Sequence, residues 1–272
     1  MRLGRPLTIG LAFIGLVAGA ALVSLAWTPD DPSRMHFALK LRGPLAAGLL
    51  GTDQFGRDVA SMLMVGARNS LTIALLSVGA GGALGTLLGV AAAALPGSLL
   101  DGALMRLCDV LFAFPSVLSA IMIGALLGPG ALTAIIAIAA FMVPVFARVA
   151  RGSALQVWTR DFILAARMAG KGSARITLDH VLPNIASQII VQATIQLGLA
   201  ILTEAGLSFL GLGMAPPAPS WGRMLADSQT YLAQAPHLAL APGIAIAVAV
   251  LGFNRLGDGL SELADPRRRR AR

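Results

Sequence analysis

The sequence predicts an all-α membrane protein with six transmembrane helices. Hydrophobic residues make up 56% of its 272 residues, charged residues only 12%, and the mean hydropathy is +0.78. A soluble domain carries about 25% charged residues, so this composition excludes that class. Long apolar runs recur along the chain, and most basic residues lie in alternate connections between them. Both patterns are typical of a polytopic bilayer protein.

A helix crosses about 30 Å of hydrocarbon with about 20 mostly apolar residues. Runs of this kind predict spans at 7–27, 71–95, 110–127, 131–146, 185–207 and 238–253. The fourth run is short, so its helix could begin earlier in the chain. Arg2 and Arg5 precede the first run as they would in a secretory signal, but about 19 apolar residues exceed the usual 7–15. We therefore expect residues 1–27 to be an uncleaved membrane anchor.

Residues 28–70 form a long connection that contains the phrase G-T-D-Q-F-G-R-D-V, from Gly51 to Val59. Asp53 lies between two glycines, and Arg57 adjoins Asp58. One interpretation is an ordinary capped turn before an amphipathic helix at 59–68. The other is a functional element, since connections of this length often have functions.

The second run carries Gly81, Gly85 and Gly89 at four-residue spacing. Small residues at this spacing let two helix backbones approach closely in lipid. The spacing does not say whether the facing helix belongs to this chain or to another subunit. Pro115 and Pro144 interrupt the third and fourth runs and should kink or loosen those helices.

Residues 151–184 contain a polar, basic island between two apolar runs. Within it, small residues at Ala165 and Ala166 precede Gly170, and Leu182 and Pro183 mark the start of the next run. Small side chains leave room for another protein to pack closely, and glycine permits a turn that other residues resist. The pattern predicts a docking helix.

Glu204 is a carboxylate deep in the fifth run. Such groups are costly in a bilayer and face protein or a water-filled cavity. Either Glu204 hydrogen-bonds to Thr203, Ser208 or the backbone near the outer end of its helix, or it lines a pathway. The proline-rich stretch 216–222 cannot continue a spanning helix and should form an outer shelf.

Charge predicts the orientation. With a cytoplasmic N-terminus, all but six of the 21 Lys and Arg residues lie inside. The six outside are Arg34, Lys40, Arg42, Arg57, Arg68 and Arg223. Both termini should then be cytoplasmic, and the basic tail 257–272 should contact anionic lipid rather than nucleic acid.

The chain contains no motif for metal binding or for nucleotide phosphate binding. Cys108 is the single cysteine, and His180 has only Asp179 beside it, so we expect no metal site. The phosphate-binding pattern G-x-x-x-x-G-K-[ST] does not occur. We therefore expect no catalytic residue and no cofactor in this chain.

Four segments resemble known transport proteins. The island resembles the EAA loop of ABC importer permeases, in agreement at Ala165, Ala166, Gly170, Leu182 and Pro183. It departs from that loop at Leu164, where glutamate is usual, and at His180, where isoleucine is usual.

The other matches are to the dipeptide, oligopeptide and nickel branch of these permeases. They are G-T-D-x-x-G-R-D-V with G-A-R-x-S-L, then E-A-x-L-S-F-L-G-L-G with P-P-x-P-S-W-G, and finally N-x-x-G-D-x-L-x-x-x-x-D-P-R. The resemblance implies a type I, MetI-like permease core at 71–256 with its coupling loop at 151–184. It also implies extracytoplasmic or pathway roles for Asp53, Arg57, Glu204, Ser208 and Trp221.

By this resemblance the chain is a permease subunit of an ATP-driven, binding-protein-dependent importer of dipeptides or oligopeptides in a bacterial inner membrane. The partners implied are a related permease in a heterodimer, two ATPase subunits that bind ATP and Mg, and an extracytoplasmic binding protein. An ion-gradient-driven transporter is the alternative from another class. The same machine could instead import a nickel chelate, an opine or glutathione.

Overall fold

The computed structural model describes residues 5–264, which form ten α-helices and no β-strand. The helices are α1 (Arg5–Val23), α2 (Val59–Ala94), α3 (Leu99–Ala113), α4 (Ser116–Leu127), α5 (Ala131–Trp158), α6 (Asp161–Met168), α7 (Ser173–Ile176), α8 (Leu182–Phe209), α9 (Trp221–Ser228) and α10 (His237–Ala264). A π-helical turn, Thr177–Val181, joins α7 to α8. The predicted tail beyond Ala264, with Asp265, Pro266 and Arg267, lies outside the described residues, as does Arg2.

Among the described residues, five helical stretches are long and apolar enough to cross a membrane. They are Arg5–Val23, Val59–Ala94, Ala131–Trp158, Ser173–Phe209 and His237–Leu263. A sixth candidate is α3 taken together with Leu118–Leu127 of α4, a pair bent by 91°. Five of these candidates are continuous helices, and the predicted count of six is reached if the bent pair is counted as one broken span.

The boundaries differ from prediction where local signals were misjudged. The helix expected at 59–68 and the span expected at 71–95 are one helix, α2. It begins at Val59 because Asp58 caps its first turn: Asp58 Oδ2 accepts from the Ser61 amide at 2.8 Å. The span expected at 110–127 is broken at Phe114 and Pro115. Its first half begins as early as Leu99.

Helix α5 begins at Ala131, as predicted, but it continues past the expected end at residue 146 to Trp158. It runs through Pro144 without ending there. A proline removes one backbone donor, and neighbouring helices in a membrane can hold such a helix together.

The glycine ridge of α2 packs against α5 of the same chain. A Cβ added at Gly81 would lie 2.5 Å from Met142 Cβ. Added at Gly85 or Gly89, it would meet a backbone carbonyl oxygen of α5. The spacing left open whether the facing helix belongs to this chain or to another subunit. It belongs to this chain: the backbones of α2 and α5 approach closely where glycine has no side chain.

Helix α1 packs along α10, the last helix. A Cβ at Gly10 would lie 2.5 Å from the amide nitrogen of Leu256, and one at Gly259 would lie 2.6 Å from Leu7 Cβ. The first and last helices therefore form one close pair beside α2.

Two apolar cores organise the bundle. The larger one includes Ile73, Ile138, Phe146 and Ile201, all buried between α2, α5 and α8. The smaller one lies where α2 and α5 end and where α8 begins, with α6 packed on it. Because α6 shares this second core with three long helices, a movement of α6 acts on all of them.

Candidate functional site

Helix α6 and the turn that follows it form the predicted docking segment. Ile163 and Ala166 point into the second core, where they join Trp158 and Ile176. The Arg167 guanidinium lies 5.1 Å from the centre of the Trp158 ring, a cation–π contact. Two buried positions and one stacked arginine hold this eight-residue helix against the bundle.

Gly170 ends α6 in the left-handed conformation, with φ +80°. Its amide donates to the Arg167 carbonyl at 2.9 Å, and the Lys171 amide donates to the Ala166 carbonyl at 3.1 Å. This pair of bonds is the Schellman arrangement, which favours glycine because a Cβ is strained at positive φ. The turn predicted from the glycine is present. A Cβ at Gly170 would meet nothing within 4 Å, so backbone conformation alone requires glycine.

Large apolar side chains of this segment are exposed although polar residues surround it. Met168 is 91% exposed, and Leu164 is 51% exposed. Phe162 and Leu178 are also exposed. We call these four residues the docking surface. An exposed apolar cluster in a polar loop is typical of a protein interaction site.

Charged groups of this segment contact one another. Lys171 Nζ lies 3.2 Å from an Asp179 carboxylate oxygen and 3.1 Å from His180 Nε2, and Arg175 lies 3.4 Å from the same carboxylate. The Phe162 ring meets the His180 ring edge-on at 6.2 Å. Exposed pairs of this kind stabilise a protein little. His180 thus contacts one cation, Lys171, and one aromatic ring, Phe162.

The five predicted coupling residues lie on α6, in the turn after it and in the first turn of α8. Ala165 is exposed on α6, Ala166 is buried beneath it, and Gly170 is exposed in the turn. Leu182 is half-buried and Pro183 is exposed in the first turn of α8. The sequence did not single out Met168 or Phe162, because an isolated apolar residue in a short helix is ordinarily a core residue.

Glu204 lies at the other end of α8 and is fully buried. Its Oε1 accepts from Ser208 Oγ at 2.6 Å, and its Oε2 accepts from Ser70 Oγ of α2 at 2.9 Å. Thr203, the other side chain considered as a partner, donates instead to the Leu199 carbonyl at 2.8 Å. Of the two interpretations of Glu204, the contacts match the hydrogen-bonded structural one.

Ser208 and Ser70, the two serines that donate to Glu204, also contact the segment after α8. Ser220 Oγ donates to Ser208 Oγ at 3.2 Å, and the Trp221 amide donates to Ser70 Oγ at 3.3 Å. Trp221 is 1% exposed, and its Nε1 donates to the Leu63 carbonyl at 3.1 Å. The network joins α2, α8 and the start of α9. Ser70 and Ser220 were missed as site residues, although both stand inside the quoted motifs.

Asp53 and Arg57 form a closed turn before α2. Arg57 Nε lies 2.6 Å from Asp53 Oδ2, and both side chains are over nine-tenths buried. Asp53 Oδ1 also accepts from the amides of Phe55 and Arg57, each at 2.8 Å. Gly56 takes φ +76° at the turn, where a Cβ would strike the His36 carbonyl. These contacts match the capped-turn interpretation of this motif.

All five predicted extracytoplasmic or pathway side chains are buried within the chain. They are Asp53, Arg57, Glu204, Ser208 and Trp221. Each of them is at most 7% exposed in this conformation. No group of three or more His, Cys, Asp or Glu side chains that could hold a metal ion occurs among residues 5–264.

Comparisons with known proteins agree with this geometry. Residues 85–270 match the family described as "Binding-protein-dependent transport system inner membrane component". The chain is 41% identical over 262 residues to the dipeptide transport system permease protein DppC of Alkalihalophilus pseudofirmus, with 94% of this chain and 86% of that protein covered. It is 43% identical over 258 residues to the glutathione transport system permease protein GsiD of Pectobacterium atrosepticum, covering 95% of this chain and 85% of that protein.

Among solved structures, the chain resembles the inward-facing MetNI methionine ABC transporter. The TM-score is 0.61 at 20% identity, with 72% of this chain and 93% of that chain covered. At this identity the likeness supports the fold, which is the MetI-like one expected from the sequence.

Proposed function

The chain belongs to the family of inner-membrane components of binding-protein-dependent transport systems, and we propose that it passes dipeptides or oligopeptides across the membrane. It is a multi-pass permease subunit of an ABC importer. The peptide proposal draws on relatives whose names divide between dipeptide and glutathione transport. Glutathione is itself a small peptide, so a binding protein that carries it is the nearest alternative.

The docking surface is the observation that supports coupling to a separate ATPase. Phe162, Leu164, Met168 and Leu178 expose apolar area on a segment whose other side is fixed in the second core. A groove on an ATPase subunit that covers these side chains would remove them from water. ATP and Mg would bind on that partner, since this chain has no phosphate-binding glycine motif.

Movement would travel from α6 to the spans through packed side chains. Ile163 of α6 is fully buried, and the core around it contains Trp158 of α5 and Ile185 of α8. Close-packed cores transmit displacement and do not deform smoothly. When two ATPase subunits close, α6 would therefore carry α5 and α8 with it in a rigid-body rotation.

On the opposite side, the Glu204 network would keep the outer segments in register. It links α8, α2 and α9, so the segments that face a binding protein would move with the helices. A related permease would complete the pathway, and both termini would be cytoplasmic. The gradient-driven alternative gains no support, because Glu204 is engaged by two serines.

The test is to purify the chain from its native membrane in mild detergent, as wild type and as Met168→Asp. Met168 is 91% exposed, so the change leaves packing intact but places a charge on the docking surface. We expect an ATPase to accompany the wild type and to be lost from the variant. Leu45→Asp is the matched control, since Leu45 is 83% exposed in the segment before α2. Equal recovery of an ATPase with Met168→Asp would remove the docking surface from the mechanism.

A further inference from the structure

A pocket of about 310 Å³ lies between the turn before α2, the proline-rich stretch and helix α9. Most of its wall is apolar and consists of residues 216–219 with Met35, Phe55, Met62 and Met224. Three charged side chains also line it, and they are Arg57, Arg223 and Asp227. Sites for small ligands have volumes of about 300–1,000 Å³ and apolar walls with a few polar groups. The pocket has both properties.

Arg57 is held at this pocket with most of its donors unused. Its Nε lies 2.6 Å from Asp53 Oδ2, and its Cζ lies 5.0 Å from the centre of the Phe55 ring. A guanidinium presents a planar fork of N–H donors, and Asp53 takes only the one on Nε. The terminal nitrogens Nη1 and Nη2 donate to no described residue, yet neither is sealed from solvent. An acceptor in the pocket can therefore reach them.

Arg223 of α9 is held in the same way. Its Nε lies 3.0 Å from Asp227 Oδ1, and its side chain is 33% exposed. Among residues 5–264, its terminal nitrogens also have no hydrogen-bond acceptor. Each arginine is thus fixed through Nε by an acid four residues away, and each leaves its terminal nitrogens to the pocket. Donors that are already fixed lose little conformational freedom when a ligand binds.

The charges of the lining indicate which ligand fits. Two guanidinium groups face one carboxylate there, so the lining has an excess of one positive charge. A carboxylate carries one negative charge, and its two oxygens match the fork of an arginine. A phosphate brings about two charges and no apolar group for the methionine and proline walls. The matching ligand has one carboxylate beside an apolar side chain, as the C-terminal residue of a peptide does.

We propose that this pocket binds the C-terminal residue of a peptide, whose carboxylate accepts from the terminal nitrogens of Arg57 and Arg223. The apolar side chain of that residue contacts the methionine and proline walls. This inference rests on the proposed function and adds two substrate-contacting residues to it. The concave shape favours a small ligand over the flatter surface of a second protein.

The experiment measures binding to the pocket without the binding protein. The permeases and ATPases are purified together in lipid nanodiscs, and equilibrium binding is measured for radiolabelled phenylalanyl-alanine and for phenylalanyl-alaninamide, in which a neutral carboxamide replaces the carboxylate. We expect the acid to bind about tenfold more tightly than the amide, as hydrogen bonds from charged donors provide. Equal affinities, or no saturable binding of the acid, would overturn the proposal.

Two variants of the Arg223–Asp227 pair give opposite expectations. Arg223→Met removes one set of donors and should reduce the preference for the acid about fivefold. Asp227→Asn removes the negative charge from the lining and should strengthen binding of the acid severalfold. Both variants break the same ion pair, so a merely structural role of the pair would change the affinity in one direction. A change in the same direction would therefore overturn the proposal.

Arg57 is tested with lysine, which keeps a positive charge beside Asp53 but lacks the planar fork. Arg57→Lys should also reduce the preference for the acid, and its unfolding midpoint shows whether the turn is intact. A folded Arg57→Lys protein with the wild-type preference would contradict the contact of Arg57. Arg34→Met is the control, since Arg34 pairs with Asp30 four residues away and lies outside the lining. It should keep the wild-type preference.

Uptake into proteoliposomes with the binding protein separates this proposal from the proposed function. Import of phenylalanyl-alanine without saturable binding in nanodiscs would overturn the pocket alone. Failure to import dipeptides and oligopeptides would count against the peptide function itself. If Arg223→Met instead weakens attachment of the binding protein and leaves the acid preference unchanged, the pocket takes an acidic side chain of that protein, and the peptide site is overturned.

A cross-link gives a second measurement, independent of those affinities. A benzophenone amino acid placed at Ala218 in the lining should label radiolabelled phenylalanyl-alanine, and the unlabelled acid should compete better than the amide. The same group at Leu232, which is 49% exposed and outside the lining, should not label it. Equal labelling at the two positions would contradict the site.

Discussion

Ser70 of α2 donates a 2.9 Å hydrogen bond to Glu204 of α8, across a sequence separation of 134 residues. Both residues are completely buried. A carboxylate in the membrane interior is stable only with donors around it, and here one donor comes from its own helix and one from the helix it packs against. Glu204 therefore fixes how α2 and α8 sit relative to each other.

Replacing Glu204 by Leu should destabilise the protein because it leaves the Ser70 and Ser208 hydroxyls without their acceptor. Each unpaired buried group costs about 1–3 kcal/mol. Glu204→Gln keeps one acceptor and should lose less. The measurement is the thermal unfolding midpoint in detergent, with Thr203→Val as control, since Thr203 bonds only to its own helix. A Glu204→Leu protein as stable as wild type would show that the network has no structural role.

Gly170→Val should leave the complex assembled but uncouple ATP hydrolysis from uptake. At φ +80° a residue with a Cβ is strained by about 1–2 kcal/mol. A strain of this size changes the equilibrium between the native turn and other conformations of the end of α6 about tenfold, in favour of the others. Transported peptide per ATP hydrolysed is the quantity to measure.

Gly172→Val is the control for that change. Gly172 has φ −68° and open space around it, so valine fits there without strain. Gly170→Asn should recover part of the coupling, because asparagine tolerates positive φ. Normal uptake by Gly170→Val would contradict a coupling role for this turn.

Gly85→Ala should weaken the packing of α2 on α5. The added methyl would collide with the Val143 carbonyl, and forcing it into a packed interface costs about 1–3 kcal/mol. The yield of folded protein and its unfolding midpoint report the effect. Gly79→Ala on the same helix meets no atom within 4 Å and should unfold at the wild-type temperature or slightly above it. Identical behaviour of the two variants would rule out a special role for the ridge.

Arg57→Met should destabilise the turn before α2 by about 3–5 kcal/mol, because it leaves the buried Asp53 carboxylate without its countercharge. The double variant Asp53→Asn with Arg57→Met should lose less stability than Arg57→Met alone, because it leaves no buried charge unpaired. The measurements are the rate of protease cleavage within residues 28–58 and the thermal unfolding midpoint. Faster cleavage with an unchanged midpoint would mean that only this segment has lost stability, whereas a lower midpoint would mean that the whole protein has.

Arg34→Met is the surface control for this pair, since Arg34 is 65% exposed and lies 4.0 Å from Asp30. The substitution should lower the free energy of unfolding by less than about 1 kcal/mol. Equal losses for Arg34→Met and Arg57→Met would mean that burial of the Asp53 pair adds nothing.

Some of the site could be predicted because its signals are local. Gly170 stands where a helix must reverse, and the turn around Asp53 is made by residues within four positions of each other. Other parts could not be predicted. Helix α3 begins well before the apolar run that indicated it, because Ser98 caps it and Asp101 is neutralised by Arg151 of α5 at 2.6 Å.

The sequence by itself determined the membrane class, the approximate spans and the turn at Gly170, since transfer into lipid, helical period and the conformational freedom of glycine belong to short stretches of chain. Tertiary structure decided which helix faces the glycine ridge and which hydroxyls satisfy Glu204. These contacts join residues far apart in the chain, so they exist only once the helices have packed.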